Sequence, residues 1–344
     1  VFGENFMIIV FKPTASEFEI QTVEDRIRAI GYSPHEIVGV ERKVLGAVGD
    51  ERFKEQLLAL ETMPGVESVI PILKPYKLAS REFKKTDTVV VVNHESVGGD
   101  RIALMAGPCS VESRKQILDT ALLVKKAGAN FMRGGAFKPR TSPYSFQGLE
   151  KEGLEYMDEA KKETGLPIVT EVMNPREVDL VARYADVMQV GARNVQNFSL
   201  LKELGKINKP VLLKRGMMTT IKEFLMSAEY ILASGNKDVI LCERGIRTFE
   251  TMTRNTLDIA AVPVLKRESH LPVIIDPSHA SGHWDFVASL SRAAIAAGSD
   301  GLMIEVHPDP EKAWSDGPQS LKPGKFSTLV ETLRPLAKLM GRTL

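Results

Sequence analysis

The chain has 344 residues, 43% of them hydrophobic and 26% charged, an ordinary globular composition with length for one large domain and a small one. Its 45 Lys and Arg against 44 Asp and Glu leave a formal charge of +1, so no whole-molecule field draws it to nucleic acid or to a membrane surface. Two cysteines, Cys109 and Cys242, exclude a disulfide framework, no apolar run approaches the roughly 18 residues of a membrane span, and no cleavable signal opens the chain, which reads as cytoplasmic.

The first seventy-odd residues predict a βαββαβ pattern of ferredoxin-like type. An apolar run from Phe6 to Phe11 is followed by a helix from about Ser16 to Ile30, strands at Glu36 to Val40 and Val44 to Val48, a helix from Asp50 to about Met63, and a strand from Val66 to Leu73. Ser16 with Glu19 forms a capping box, and Asp50 is the expected N-cap of the second helix. This domain is expected over residues 1–73. The polar, unpatterned segment KPYKLASREFKKTD, residues 74–87, reads as a linker.

From residue 88 to 344 the period changes to short β-branched runs separated by stretches of helical length, the pattern of repeated βα units. After a leading strand at Thr88 to Val92, units begin at Ile102, Asn130, Pro167, Asp186, Pro210, Asp238, Pro272 and Gly301, with a last helix near Phe326 to Met340. Eight units in about 240 residues match a (β/α)₈ TIM barrel. A doubly wound open sheet is the competitor, but it would usually carry fewer strands and a GxGxxG loop, which is absent.

In such a barrel the active site lies just past the C-terminal strand ends. Those positions hold Arg133, Lys138, Arg140, Arg193, Lys214, Arg215, Arg244 and Arg247, eight cations in a nearly neutral chain. Any one of them is as readily a solvated loop charge. Together they would repel one another unless multiply charged anions visit, and Arg offers bidentate geometry to carboxylate and phosphate. A second constellation joins Cys109 after the first barrel strand, His279 after the seventh, Glu305 at the end of the eighth and Asp316 in the loop beyond. Closure makes these strands neighbours, and a thiolate, an imidazole and two carboxylates suit a borderline divalent metal. Taken alone, Cys109 is more often a small buried hydrophobe, and Cys242, inside an apolar strand, is assigned to that role. His283 and His307 are rivals of His279 near the rim.

The segments GPCS (107–110), RGGAFKPRTSPYSFQG (133–148), GARN, LLKRG, CERGIRTFE, DPSH and IEVHPDPEKAWSDGPQSL occur in order, each at a predicted strand end. Together they resemble the 3-deoxy-D-arabino-heptulosonate 7-phosphate synthases from about Thr88 to the C-terminus. The N-terminal domain with its SREF-containing linker resembles the regulated subgroup of that family. The resemblance implies condensation of phosphoenolpyruvate with erythrose 4-phosphate, releasing phosphate and opening the shikimate route to aromatic amino acids. It implies that Arg133, Lys138, Arg193, Lys214 and Arg244 hold the phosphate and carboxylate of phosphoenolpyruvate, and that Arg140 and Thr141 take the sugar phosphate. Cys109, His279, Glu305 and Asp316 would bind one divalent metal, which in this family is manganese, iron, cobalt, zinc or another. Lys138 is the expected proton donor, its pKa lowered by neighbouring cations. Tyrosine or phenylalanine is the implied effector of the small domain, and a homotetramer the implied assembly.

The nearest rival, 3-deoxy-D-manno-octulosonate 8-phosphate synthase, would use arabinose 5-phosphate. It carries a KANR-type sequence where this chain has KPRTS, and generally lacks the N-terminal domain. A catalytically silent barrel serving as an amino-acid sensor or pathway partner would be free to lose rim positions, and none is missing.

Overall fold

A computed structural model describes residues 4–38, 43–50, 53–71, 75–140 and 142–344. The chain divides into two compact units, Val1–Thr86 and Asp87–Leu344.

In the first unit, β1 (Glu4–Phe11), β2 (Ser33–Val38), β3 (Lys43–Asp50) and β4 (Val66–Pro71) form an antiparallel sheet in the order β2-β3-β1-β4. Helix α1 (Glu17–Ala29) turns Val23 and Ile27 onto a core with Met7, Ile9, Phe11 and Leu45. The expected capping box is present: Ser16 Oγ accepts from the Glu19 N–H, and the Glu19 carboxylate accepts from the Ser16 N–H. The second helix departs from expectation. It covers only Lys54–Leu58 as α2, continued by a 3₁₀ turn at Ala59–Thr62, and Phe53 caps it with no side-chain bond. Asp50 does not cap it because β3 runs through Asp50, which pairs with Glu4 of β1. The expected ends of two strands, at residues 39–40 and 72–73, lie outside the described residues. The segment read as a linker is turned rather than extended, with Ser80 N–H donating to the Lys77 carbonyl and Phe83 N–H to that of Ser80.

The second unit opens with a hairpin, β5 (Val90–Val92) and β6 (Glu95–Val97), where a single leading strand was expected. Asn93, at φ 56°, makes its turn in the left-handed region that Asn tolerates. Val90, Val92 and Val97 pack with Met105, Phe131 and Val187 of the barrel interior, each valine worth about 1.5–3 kcal/mol when fully buried. Cys242 belongs to this same core, as its apolar strand suggested.

The barrel strands are β7 (Ala103–Gly107), β8 (Phe131–Arg133), β9 (Ile168–Glu171), β10 (Val187–Val190), β11 (Val211–Lys214), β12 (Val239–Glu243), β13 (Val273–Ile275) and β14 (Gly301–Glu305). They close into a parallel ring in which β14 pairs with β7, register Glu305↔Gly107. Every strand residue is buried, as expected of parallel strands with side chains inside and helices outside. The architecture is therefore a TIM barrel after a ferredoxin-like domain. Among the described residues no helix is long and apolar enough to cross a membrane.

Candidate active site

The strand ends place the chemistry. Arg133, Glu171, Lys214, Glu243 and Glu305 are the last residues of β8, β9, β11, β12 and β14, and Cys109 follows β7 by two residues. His279 sits in a one-turn helix, α3 (Pro277–Ser281), whose start is set by Asp276 and by Pro277 at its first position. One Asp276 oxygen accepts the His279 backbone N–H at 2.9 Å and the other faces His279 Nδ1 at 2.6 Å, so a single carboxylate fixes both helix and ring.

Cys109 Sγ and single ligand atoms of His279, Glu305 and Asp316 all lie within 4.8 Å of one another. Cys109 Sγ is 3.3 Å from Asp316 Oδ2, and His279 Nε2 is 3.4 Å from Glu305 Oε1 and 4.0 Å from Asp316 Oδ2. With Nδ1–H directed at Asp276, the Nε2 lone pair points at two carboxylate oxygens. Such an arrangement is repulsive without a cation between them, and its N, S and O donors fit a borderline divalent ion.

Electrostatics prepare the donors. Burial, above the attraction of Asp276 and Glu305 for a proton, lowers the His279 pKa and keeps the imidazole neutral, its ligand form. Burial also pushes the Cys109 thiol up to about 12, helped by Glu305. Near neutrality this thiol would release its proton only where a strong local cation stabilises the thiolate. Burial opposes ionisation of Asp316, but Arg254, His279 and Lys138 hold it below the usual carboxylate range. Asp276 is held lower still against its own burial, by His279 and Lys214.

Beside the cluster lies a cleft of about 270 Å³, lined by Arg133, Lys138, Arg140, Arg193, Lys214, Arg244 and Arg254 together with Glu171 and Gln189. Six of the eight expected rim cations are among them. Arg215 is not: it is tied to Glu243 at 2.8 Å and Asp258 at 2.7 Å, a structural pair. Arg247 is exposed outside the cleft. Arg133 bonds Glu305 at 3.0 Å and the Pro108 carbonyl at 2.7 Å, and Lys214 bonds Asp276 at 2.5 Å. Arg244 Nη1 and Arg133 Nε are buried with no hydrogen-bond partner among the described residues. Leaving such donors unmade costs about 1–3 kcal/mol each, which an arriving anion would recover.

Lys138 corrects an expectation. Its Nζ is 3.0 Å from both the Cys109 carbonyl oxygen and Sγ. Burial lowers its pKa, but Cys109 and the carboxylates of Glu305 and Glu171 outweigh burial and Arg133, so the net shift is upward and Lys138 is a firm cation. The neighbouring Cys109, Glu305 and Glu171, invisible in a count of rim cations, reverse the sign. Arg140 Nη1 donates to Ser315 Oγ at 2.6 Å, while Thr141 lies outside the described residues. The rival histidines are engaged elsewhere: His307 pairs with Glu112 at 3.3 Å, and the His283 ring accepts the Asp285 N–H.

Sequence reasoning did not single out Glu171, Gln189, Asp276, Ser315, Gln319 or Arg254. Glu171 is instructive: Oε2 accepts from Gln189 Nε2 at 2.9 Å, and Oε1 is buried with no partner among the described residues. Glu171 ends a strand and Asp276 follows one, so reading strand ends for carboxylates as well as cations finds both. Arg254 and Gln319 stand in the long loops after β12 and β14, where strand position gives no signal.

Fold and cleft together define a (β/α)₈-barrel enzyme whose open rim surrounds a ring of cations and a compact N, S, O donor set. The DAHP synthetase I family matches residues 84–342, and the DAHP synthase ferredoxin-like domain matches residues 7–74. The chain is 52% identical over 337 residues to the phospho-2-dehydro-3-deoxyheptonate aldolase of Thermotoga maritima, covering 97% of this chain and 99% of that one. The crystal structure of that aldolase, a DAHP synthase, superposes with a TM-score of 0.78 at 51% identity, over 98% and 99% of the two chains. A 2-dehydro-3-deoxyphosphooctonate aldolase from Stenotrophomonas maltophilia is 34% identical over 261 residues, 70% of this chain and 93% of its own. The chain belongs to the DAHP synthetase I family, in the form that carries a ferredoxin-like domain ahead of the barrel.

Proposed function

We propose that this enzyme condenses phosphoenolpyruvate with D-erythrose 4-phosphate and water to give 3-deoxy-D-arabino-heptulosonate 7-phosphate and inorganic phosphate, the first step of the shikimate route to aromatic amino acids. The observation that carries the reading is the cleft itself: seven cations, two with buried N–H groups lacking acceptors, beside four converging metal donors. Two mutually repelling phosphorylated substrates need such a site, whose value lies in holding them in reacting geometry and meeting charge where it develops.

Arg133, Lys138, Arg193, Lys214 and Arg244 hold the phosphate and carboxylate of phosphoenolpyruvate, and Arg140 with Thr141 holds the sugar phosphate. Cys109, His279, Glu305 and Asp316 hold one divalent ion, which when bound acts as a Lewis acid on the sugar aldehyde. C3 of the enol forms the new bond to the aldehyde carbon. Lys138, whose ammonium lies 3.0 Å from Cys109 Sγ, delivers a proton to the aldehyde oxygen. Water adds at C2, with the unpartnered Oε1 of Glu171 accepting its proton, and the C2–O bond breaks as phosphate leaves.

The ferredoxin-like domain is the site at which tyrosine or phenylalanine inhibits, and the working assembly is a cytoplasmic homotetramer. Phosphate release with phosphoenolpyruvate plus either erythrose 4-phosphate or arabinose 5-phosphate, with and without chelator, tests the reaction. Turnover confined to erythrose 4-phosphate and lost with chelator is expected. Preference for arabinose 5-phosphate would instead make the chain an octulosonate-forming enzyme. Tyrosine or phenylalanine in the same assay tests regulation, and inhibition is expected to vanish when residues up to about Ser80 are removed.

A further inference from the structure

Two residues outside the donor set, Gln319 and Arg254, tie the carboxylates of the cluster together. Gln319 is 2% exposed. Its Nε2 donates to Glu305 Oε2 at 2.8 Å, and its Oε1 accepts from Arg254 Nη1 at 2.8 Å. Arg254 Nη1 lies in turn 3.2 Å from Asp316 Oδ1. Glu305, Gln319, Arg254 and Asp316 thus form an unbroken polar chain around the back of the cluster.

Only a neutral amide fits the middle of that chain. One end must donate to a carboxylate and the other must accept from a guanidinium. A Glu at 319 would oppose Glu305, and a Lys would oppose Arg254. The reverse amide orientation meets both repulsions at once, so the partners fix which end is oxygen.

The consequence is geometric. Gln319 occupies Glu305 Oε2, which leaves Oε1, also an acceptor from Arg133 Nη1 at 3.0 Å, as the oxygen facing His279 Nε2 at 3.4 Å. Arg254 occupies Asp316 Oδ1, which leaves Oδ2 as the oxygen beside Cys109 Sγ at 3.3 Å. Each carboxylate therefore presents one oxygen inward. Arg254 is itself anchored to the segment bearing His279: its backbone N–H donates to the Ser281 carbonyl at 3.0 Å, and the neighbouring Asn255 Nδ2 donates to the His279 carbonyl at 3.0 Å. Asp316 also needs holding, since its backbone sits in the left-handed region at φ 52°, sparsely populated by residues other than glycine.

We propose that Gln319 and Arg254 are positioning residues that hold Glu305 and Asp316 as one-oxygen donors and thereby set the affinity of the cluster for a divalent metal. This rests on the metal reading of the cluster. Neither residue touches the reacting atoms in this role. They act through the ligands, as partners behind metal-binding side chains do, where removal typically costs about 10–100-fold in affinity.

The test is titration of the metal-free full-length chain with Co²⁺ alone, read by the thiolate-to-cobalt absorption band and by the d–d bands. In the parent chain a saturable thiolate band is expected, absent in Cys109→Ser. Gln319→Leu, close in volume, is expected to weaken Co²⁺ binding about 10–100-fold and to shift the d–d bands, while keeping the thiolate band. Arg254→Ala is expected to weaken binding in the same direction, with Arg254→Lys recovering part of the loss. The Arg254 side chain is 37% exposed, so that pair of variants decides the matter if Gln319→Leu does not fold. Parent-like affinity and d–d bands in Arg254→Ala, or in a folded Gln319→Leu, overturn the proposal. No thiolate band in the parent chain overturns the metal reading and this proposal with it, an outcome distinct from the first.

Discussion

Asp276→Asn isolates the most heavily used carboxylate of the rim. Asp276 is fully buried, and one of its oxygens is shared by Lys214 Nζ at 2.5 Å and His279 Nδ1 at 2.6 Å. Asn keeps the volume, so what is lost is charge and not packing. Lys214, 3% exposed, is left without a counter-ion. Removing one partner of a buried ion pair costs about 3–5 kcal/mol, and because Lys214 borders the cleft the lower end applies. At about 2–4 °C per kcal/mol for a domain of this size, a loss of about 3 kcal/mol lowers Tm by roughly 6–12 °C. Scanning calorimetry of parent and variant in phosphate-free buffer measures this. Millimolar inorganic phosphate is expected to stabilise the variant more than the parent, since the anion then supplies a charge opposite Lys214 in place of Asp276. A fall in Tm below about 2 °C would refute the view that Lys214 depends on Asp276.

Three further outcomes are expected. The folded pKa of His279 lies below its unfolded value, near 6.5, so the unfolded chain binds the extra proton and stability is held above that pH and lost as pH falls through it. Urea midpoints of the metal-free chain at about pH 7.5 and about pH 5.5 give the slope, which His279→Gln is expected to flatten; an equal slope in that variant contradicts the assignment. Gly191→Ala places a Cβ 2.1 Å from Glu171 Oε1 and must displace that carboxylate. Turnover is expected to fall by roughly 10-fold or more, a share of the about 10²–10⁴ typical of proton transfer, and an unchanged kcat would remove Glu171 from the mechanism. Chelation is expected to abolish turnover while leaving far-UV circular dichroism intact, because the donors stand on loops and strand ends of an already closed barrel; collapse of the helical signal would show instead that the ion is structural.

Much of the fold is legible because its signals are local. Val239–Glu243 and Gly301–Glu305 announce themselves as β-branched or apolar runs, and Ser16 with Glu19 announces a helix start through two reciprocal bonds. Asp50 misleads for the opposite reason: whether a residue caps a helix or extends a strand is settled by a cross-strand partner, here Glu4, that no local window contains. The site follows the same division. Cys109, His279, Glu305 and Asp316 follow from strand-end position plus closure, and they do converge. Arg215 looks like a ligand cation until Glu243 and Asp258 are seen to neutralise it, and Lys138 looks acidified until Cys109, Glu305 and Glu171 are placed around it. Charge type is written in the sequence; charge balance is a property of pairs brought together by folding.

The register Glu305↔Gly107 has a bearing on the order of events during synthesis. Cys109 and Lys138 belong to the first two turns of the barrel, whereas His279, Glu305 and Asp316 come from its last two strands and beyond, 207 residues separating Cys109 from Asp316. A ring with its last strand still unpaired holds Cys109, Lys138 and His279 but lacks Glu305 and Asp316, so its donor set is incomplete. Contacts of such long sequence separation form late. The donor cluster is therefore a completion mark of the fold: only a chain whose end has found its beginning brings all four ligand atoms within 4.8 Å of one another.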